Sequence, residues 1–151
     1  MEQVEIIQIC KRFSGLPTRG LADLWTACAG TDDLEGAVVE CGVLNGGAGA
    51  ALWHAAGARR HLWLFDSFAG MPEPTEQDGG RAGCQYAYRT ARPEGWNIGE
   101  IKNVKRVLSM VKVPRKLTHI VTGWFADTLP GMSGAIGSIV ALHLDADFYE
   151  P

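Results

Sequence analysis

Ala37-Val-Val-Glu-Cys-Gly-Val-Leu-Asn-Gly-Gly-Ala-Gly49 is the stretch that decides the fold. An apolar run ends at Glu40, a glycine-rich turn follows, and an alanine-rich segment leaves the turn. Strand, turn and helix in that order are one half of a βαβ unit. The turn lets backbone come close to a nucleotide-like ligand, and the start of the helix offers unpaired N–H groups.

Working outward, the strand spans roughly Gly36 to Val43. Asn45 is placed to cap the next helix, which runs to about Ala56 and stops at Gly57. Its face of Ala48, Ala51, Leu52 and Ala55 is small enough for close packing on a sheet. His61 to Phe68 is apolar on both faces, as a buried parallel strand should be.

Upstream, Ile6, Ile9, Cys10 and Phe13 share one face of a helix from Glu2 to Phe13. A second helix, from about Thr18 to Ala29, turns Leu21, Leu24, Trp25 and Cys28 inward and ends at Gly30. Both are expected to pack on the sheet or roof the ligand cleft. Downstream, Ala69 to Trp96 is rich in Gly, Pro and charge and reads as a long lid-like loop, mobile without ligand. Asn97-Ile-Gly-Glu100 reads as a capping box. The helix it opens carries Ile98, Ile101, Val104, Leu108 and Val111 and stops before Pro114.

The third strand is Leu117 to Trp124, then Phe125 to Pro130 is a turn with a short helix. The fourth strand, Ser138 to Leu144, runs into Asp145-Ala-Asp147-Phe-Tyr-Glu-Pro151. Strands alternating with helices imply a parallel α/β sheet with right-handed crossovers. The 151 residues suffice for a single domain: N-terminal helices over 1–34 and the core over 35–151.

Bulk properties narrow the function. The net charge of −3 advertises neither nucleic acid nor an anionic membrane as a partner. Lys102, Lys105 and Arg106 read as a solvated helix face. No apolar run approaches the ~20 residues of a membrane span, and the acidic start lacks the layout of a secretion signal. Cys10, Cys28, Cys41 and Cys84 form no CxxC pair and read as reduced thiols of a cytoplasmic protein.

Glu40, Asp66 and Asp145 end the first, second and fourth strands. In an open parallel sheet such carboxyl ends line one edge, where ligands bind. Each acid alone could be a turn-forming or capping carboxylate. Asp66 follows Glu40 near the ~20-residue offset at which an acid accepts a ribose diol. The glycines Gly42, Gly46, Gly47 and Gly49 do not spell the dinucleotide fingerprint, which weakens a nucleotide-dependent oxidoreductase reading. No Lys-Ser/Thr follows them, which excludes a phosphate-binding P-loop. An adenosyl cation fits an acidic turn better than a phosphate does.

Four segments carry a family resemblance: Val38–Gly47, Leu64–Pro74, Gly123–Pro130 and His143–Tyr149. In this order they resemble the macrocin O-methyltransferase family, enzymes that use S-adenosylmethionine. The resemblance implies a Rossmann-like three-layer αβα sandwich whose four strands lie in the order 3-2-1-4. It implies that Glu40 and Gly42 hold the methionine part of the cofactor, with Gly46 and Gly47 nearby. Asp66 would bind the ribose, with Ser67 and Phe68 beside it. Trp124, Phe125 and Asp127 would border the adenine, core packing and a helix cap being the alternatives.

Asp145 would sit by the reacting hydroxyl of a small-molecule acceptor, or ligate a divalent metal such as magnesium with the help of Asp147. The resemblance also implies longer chains whose later strands complete the sheet and the metal site. Without them the fourth strand is an apolar edge open to self-association, which leaves an inactive, truncated domain as the alternative. His54, His61 and His143 read as structural.

Overall fold

The computed structural model describes residues 1–91 and 96–148. Residues 92–95, inside the expected lid, and 149–151, at the end of the fourth motif, lie outside the described residues. Four parallel strands form the sheet: β1 (Ala37–Cys41), β2 (Leu62–Asp66), β3 (Thr118–Thr122) and β4 (Ile139–Leu144), in the order β3-β2-β1-β4. Each expected strand is present; the first three are shorter at both ends and the fourth only at its start, and at the carboxyl ends of the first three the flanking residues turn into the loops of the cavity edge.

Parallel register fixes which side chains share a face. Val38, Leu62, Leu64 and Ala141 lie on one face, in the larger core. Over it lie helix α3 (Gly47–Ala55) and helix α5 (Ile101–Met110). Helices α1 (Gln3–Lys11) and α2 (Thr18–Cys28) rest on α3 rather than on the sheet. Ile6, Ile7 and Cys10 of α1 are buried there, whereas Leu24, Trp25 and Cys28 of α2 are only partly covered. The opposite face carries Ala37, Val39, Cys41, Trp63 and Phe65 under a single helix, α6 (Phe125–Ile136). This is the expected three-layer arrangement, with one thick and one thin outer layer.

Two residues expected to cap helices do not cap them. Asn45 does not cap α3; its Oδ1 accepts from Glu100 N–H at 3.2 Å and from Asn103 Nδ2 at 3.0 Å. The start of α3 is met by backbone instead: Gly46 is left-handed, and Gly47 N–H donates to Phe13 O at 3.1 Å. Asn97 does not open a capping box either. It has φ 52° and reaches across to Asp147, while Glu100 is the residue that precedes α5.

The segment after β2 is not a structureless loop. It holds a short 3-10 turn at Glu76–Asp78 and helix α4 (Gly80–Thr90), which buries only Ala82. The residues of α4 are mostly polar or small and reach no core, so no run of buried apolar residues marks it in the sequence. Likewise the short helix expected after β3 is the 12-residue α6, continuing through Pro130 because Phe125, Leu129, Met132 and Ile136 all reach the thin-layer core.

Candidate cofactor and active site

The carboxyl ends of the four strands are tied together by backbone. Gly42 N–H donates to Phe65 O at 2.9 Å, Gly123 N–H to Asp66 O at 3.0 Å, and Asp145 N–H to Cys41 O at 2.9 Å. Gly42 has φ 89°, and any Cβ on it would strike the Asp145 carbonyl, so only glycine lets β1 and the segment after β4 approach this closely. Above this edge opens a cavity of about 380 Å³, within the range of small-ligand sites. The link between α1 and α2 (14–16) forms part of its wall, so the N-terminal helices reach the site through their turn.

Glu40, Gly42, Asp66, Ser67, Trp124, Phe125, Asp145 and Asp147 line the cavity. Gly46, Gly47, Phe68 and Asp127 do not. Gly46 faces Val104 and Val107 of α5, Gly47 packs on Cys10 and Phe13, and Phe68 packs against the larger core. Asp127 sits in the first turn of α6. Met71, Pro72 and Asn97 line the cavity and were not singled out from sequence. The first two lie within the second family motif, which is the signal that could have found them.

The acids differ in their surroundings. Asp66 Oδ2 accepts from Val43 N–H at 2.7 Å and Leu44 N–H at 2.8 Å, and its Oδ1 accepts from Phe68 N–H at 2.7 Å. A carboxylate has about four acceptor positions, so Asp66 ties down two turns and keeps about one for a ligand. Glu40 is 1% exposed. Its Oε2 accepts from Gly49 N–H at 2.9 Å at the start of α3, and its Oε1 from His143 Nδ1 at 3.1 Å.

Burial pushes the Glu40 carboxyl up, against the hydrogen bonds from His143 and Gly49. Its bond to Glu40 pushes His143 up, against burial. The structural role expected for His143 is therefore a buried polar one, not apolar packing. Asp147 Oδ2 accepts from Asn97 Nδ2 at 3.2 Å, and burial followed by the nearby Asp145 raises its carboxyl.

Backbone conformation marks the same place. Of the non-glycine residues in the left-handed region, Leu44 (φ 52°), Asn97 (φ 52°) and Asp147 (φ 62°) line the cavity and Phe68 (φ 53°) follows its lining residue Ser67, while Ala58 (φ 54°) and Lys112 (φ 62°) lie outside it. Each costs on the order of 1–3 kcal/mol and persists where its surroundings enforce it, characteristically at functional sites. Asp66 supplies that enforcement for Leu44 and Phe68 through the three bonds above.

The chain also has recognisable relatives. The family model described as Macrocin-O-methyltransferase (TylF) matches residues 19–151. This chain belongs to that family.

Among its curated relatives, the 8-demethyl-8-(2,3-dimethoxy-alpha-L-rhamnosyl)-tetracenomycin-C 4'-O-methyltransferase of Streptomyces olivaceus is 29% identical over 123 residues. The demethyldecarbamoylnovobiocin O-methyltransferase of Streptomyces niveus is 30% identical over 123 residues. Each match covers 79% of this chain and 45% of the relative, so the chain spans under half the length of these family members. The solved O-methyltransferase NovP is similar with a TM-score of 0.68 and 28% identity, over 91% of this chain and 57% of that one. The calicheamicin methyltransferase CalS11, at 19% identity, shares the fold with a TM-score of 0.61, over 98% of this chain and 68% of that one.

The metal that the family resemblance implied does not fit the residues at hand. Among the described residues no group of three or more His, Cys, Asp or Glu side chains could hold an ion. Asp145 and Asp147 make only a pair.

Proposed function

We propose that this chain is the cofactor-binding part of an S-adenosylmethionine-dependent O-methyltransferase acting on a hydroxyl of a small molecule. One observation carries the reading. The cavity of a family member is walled by Glu40, Asp66, Asp145 and Asp147, and among the described residues none that lines it is Lys, Arg or His. Such a wall repels phosphate and attracts a cation, and the cofactor carries a sulfonium and an ammonium. The tetracenomycin and novobiocin O-methyltransferases among its relatives support a sugar or another part of a natural product as the acceptor.

When bound, S-adenosylmethionine supplies a methyl group activated on sulfur. The chain's own residues do the holding. Glu40 takes the ammonium end, with Gly42 admitting it close to backbone. The remaining acceptor position of Asp66, with Ser67, takes the ribose. Trp124 and Phe125 border the adenine. Gly46, Gly47, Phe68 and Asp127 act one step back, as supports of the turns. Asp145, with Asp147 beside it, orients the acceptor hydroxyl and takes up its proton. Holding two reactants in line supplies on the order of 7–11 kcal/mol of barrier reduction, so positioning is the main task. Residues 1–151 act here as one domain, and the four free cysteines suit the reducing cytoplasm.

Calorimetry with S-adenosylhomocysteine tests the reading, with micromolar affinity expected. A folded sample that binds neither this ligand nor S-adenosylmethionine overturns it. Asp66→Ala should weaken the binding, and unchanged affinity would remove Asp66 from the ribose role. Binding of NAD in place of the adenosyl ligands would revive the oxidoreductase reading.

A second reading rests on a separate observation. Ile139, Leu142 and Leu144 of β4 are exposed on a strand that pairs only with β1 among the described residues. Through this edge the chain associates with a second copy, whether or not it catalyses methyl transfer.

A further inference from the structure

We propose that His143 is a positioning residue of the cofactor site, aiming the Glu40 carboxylate at the ammonium end of the ligand; this rests on the cofactor reading above. Glu40 and His143 are register partners on β1 and β4, so their side chains leave the same face of the sheet side by side. That face is the one under α3. Glu40 is fixed there from two directions. Gly49 N–H holds Oε2 at 2.9 Å, and a Cβ on Gly49 would lie only 2.5 Å from the same oxygen, so the carboxylate cannot shift toward α3. His143 Nδ1–H holds Oε1 at 3.1 Å. About two acceptor positions then remain on a side chain that lines the cavity.

Among the described residues His143 is the only side chain hydrogen-bonded to Glu40. The other titratable groups acting on Glu40, or on which it acts, are Asp145 after β4, Cys10 of α1 and Cys41 of β1. Burial pushes the two thiols up to about 12 and about 11, so both stay neutral beside the carboxylate, and neither can take the place of the imidazole as a cationic partner. Removing the imidazole leaves one oxygen of a fully buried carboxylate without its charge-assisted donor. Such a group turns to another donor or takes a proton, and either response spoils it as a seat for an ammonium.

Two probes separate positioning from mere support. S-adenosylhomocysteine carries the ammonium end, whereas 5'-deoxy-5'-methylthioadenosine has the same adenosine without it. For His143→Leu we expect affinity for S-adenosylhomocysteine to fall roughly tenfold to a hundredfold, the worth of one charged hydrogen bond. Affinity for methylthioadenosine should stay within about twofold of wild type on the same scale. His143→Asn places an amide N–H where Nδ1–H was and should restore the first affinity.

Equal loss for both probes, or no loss for either, overturns the proposal. If His143→Leu fails to fold, His143→Gln, whose amide lies one methylene further out, takes its place with the same selective loss expected. Wild type that binds neither probe defeats the underlying cofactor reading, a result distinct from failure of the His143 role.

Discussion

At Gly49 two residue-scale preferences oppose each other. Alanine is about 1 kcal/mol better than glycine inside a helix. Yet a Cβ here would meet Glu40 Oε2 at 2.5 Å and Leu64 Cδ2 at 2.7 Å. Overpacking a buried contact costs typically 1–3 kcal/mol, and here it presses on a buried carboxylate. The steric effect wins, and Gly49→Ala is expected to lower unfolding free energy by about 1–2 kcal/mol in urea melts. A stabilised variant would mean that α3 yields easily and that Glu40 is not clamped. From sequence Glu40, Asp66 and Asp145 were legible as strand-end acids. The clamp was not, because it needs the β1–β4 register, which pairs residues far apart in the chain.

His54 provides the pH dependence at the same scale. Burial lowers its pKa below the ordinary value of 6.5, while its ring N–H donates to Val111 O at 2.7 Å. The unfolded chain therefore binds the extra proton at a higher pH than the folded one. Stability is full above about 6.5 and is lost as pH falls through the lowered folded value. Urea midpoints should drop over that window, and His54→Gln should flatten the drop. A midpoint slope that the substitution leaves unchanged would assign the effect to other groups.

At the scale of elements, what was legible had an apolar period. The four strands and helices α1, α2, α3 and α5 all form, and β1, β2, α1, α3 and α5 bury the apolar residues their sequence displays, whereas α2 fully buries only Leu21 and β4 only Ala141. Helix α4 read as loop and α6 only as a short helix ending at Pro130, for different reasons. α4 buries only Ala82 and lies in a stretch rich in Gly, Pro and charge, so no run of core residues marks it. α6 has a stripe, but Pro130, Gly131 and Gly134 interrupt it with residues that normally end helices.

Its contacts with Trp63 and Phe65 hold α6 together in spite of them. A proline in a helix interior removes one backbone bond and costs ~3 kcal/mol, part of which is returned by the stiffer unfolded chain. Pro130→Ala is therefore expected to raise stability by about 1–2 kcal/mol, read as a higher thermal midpoint. A lower midpoint would show that the proline ring contributes packing that outweighs the lost bond.

For the molecule as a whole the asymmetry of the two faces matters most. The face under α3 and α5 is fully clothed, and α1 and α2 clothe α3 in turn. The other face has α6 alone, which covers the β2 side. Leu142 and Leu144 pair in register with Val39 and Cys41, on the face that α6 only partly covers, and they are 53% and 65% exposed. A strand that among the described residues pairs on one side only, and that carries large apolar side chains, is a template for pairing with another chain.

A second copy offers the same strand, and two β4 strands can pair about a two-fold axis to extend the sheet through both molecules. Sedimentation is then expected to give a mass that rises with concentration toward the dimer. Leu142→Lys combined with Leu144→Lys places like charges across that axis and should return the monomer. The site lies at the carboxyl ends of the strands rather than on this face, so binding of S-adenosylhomocysteine should survive the double substitution. A wild type that stays monomeric at every concentration removes the association reading and leaves the cofactor site to stand alone.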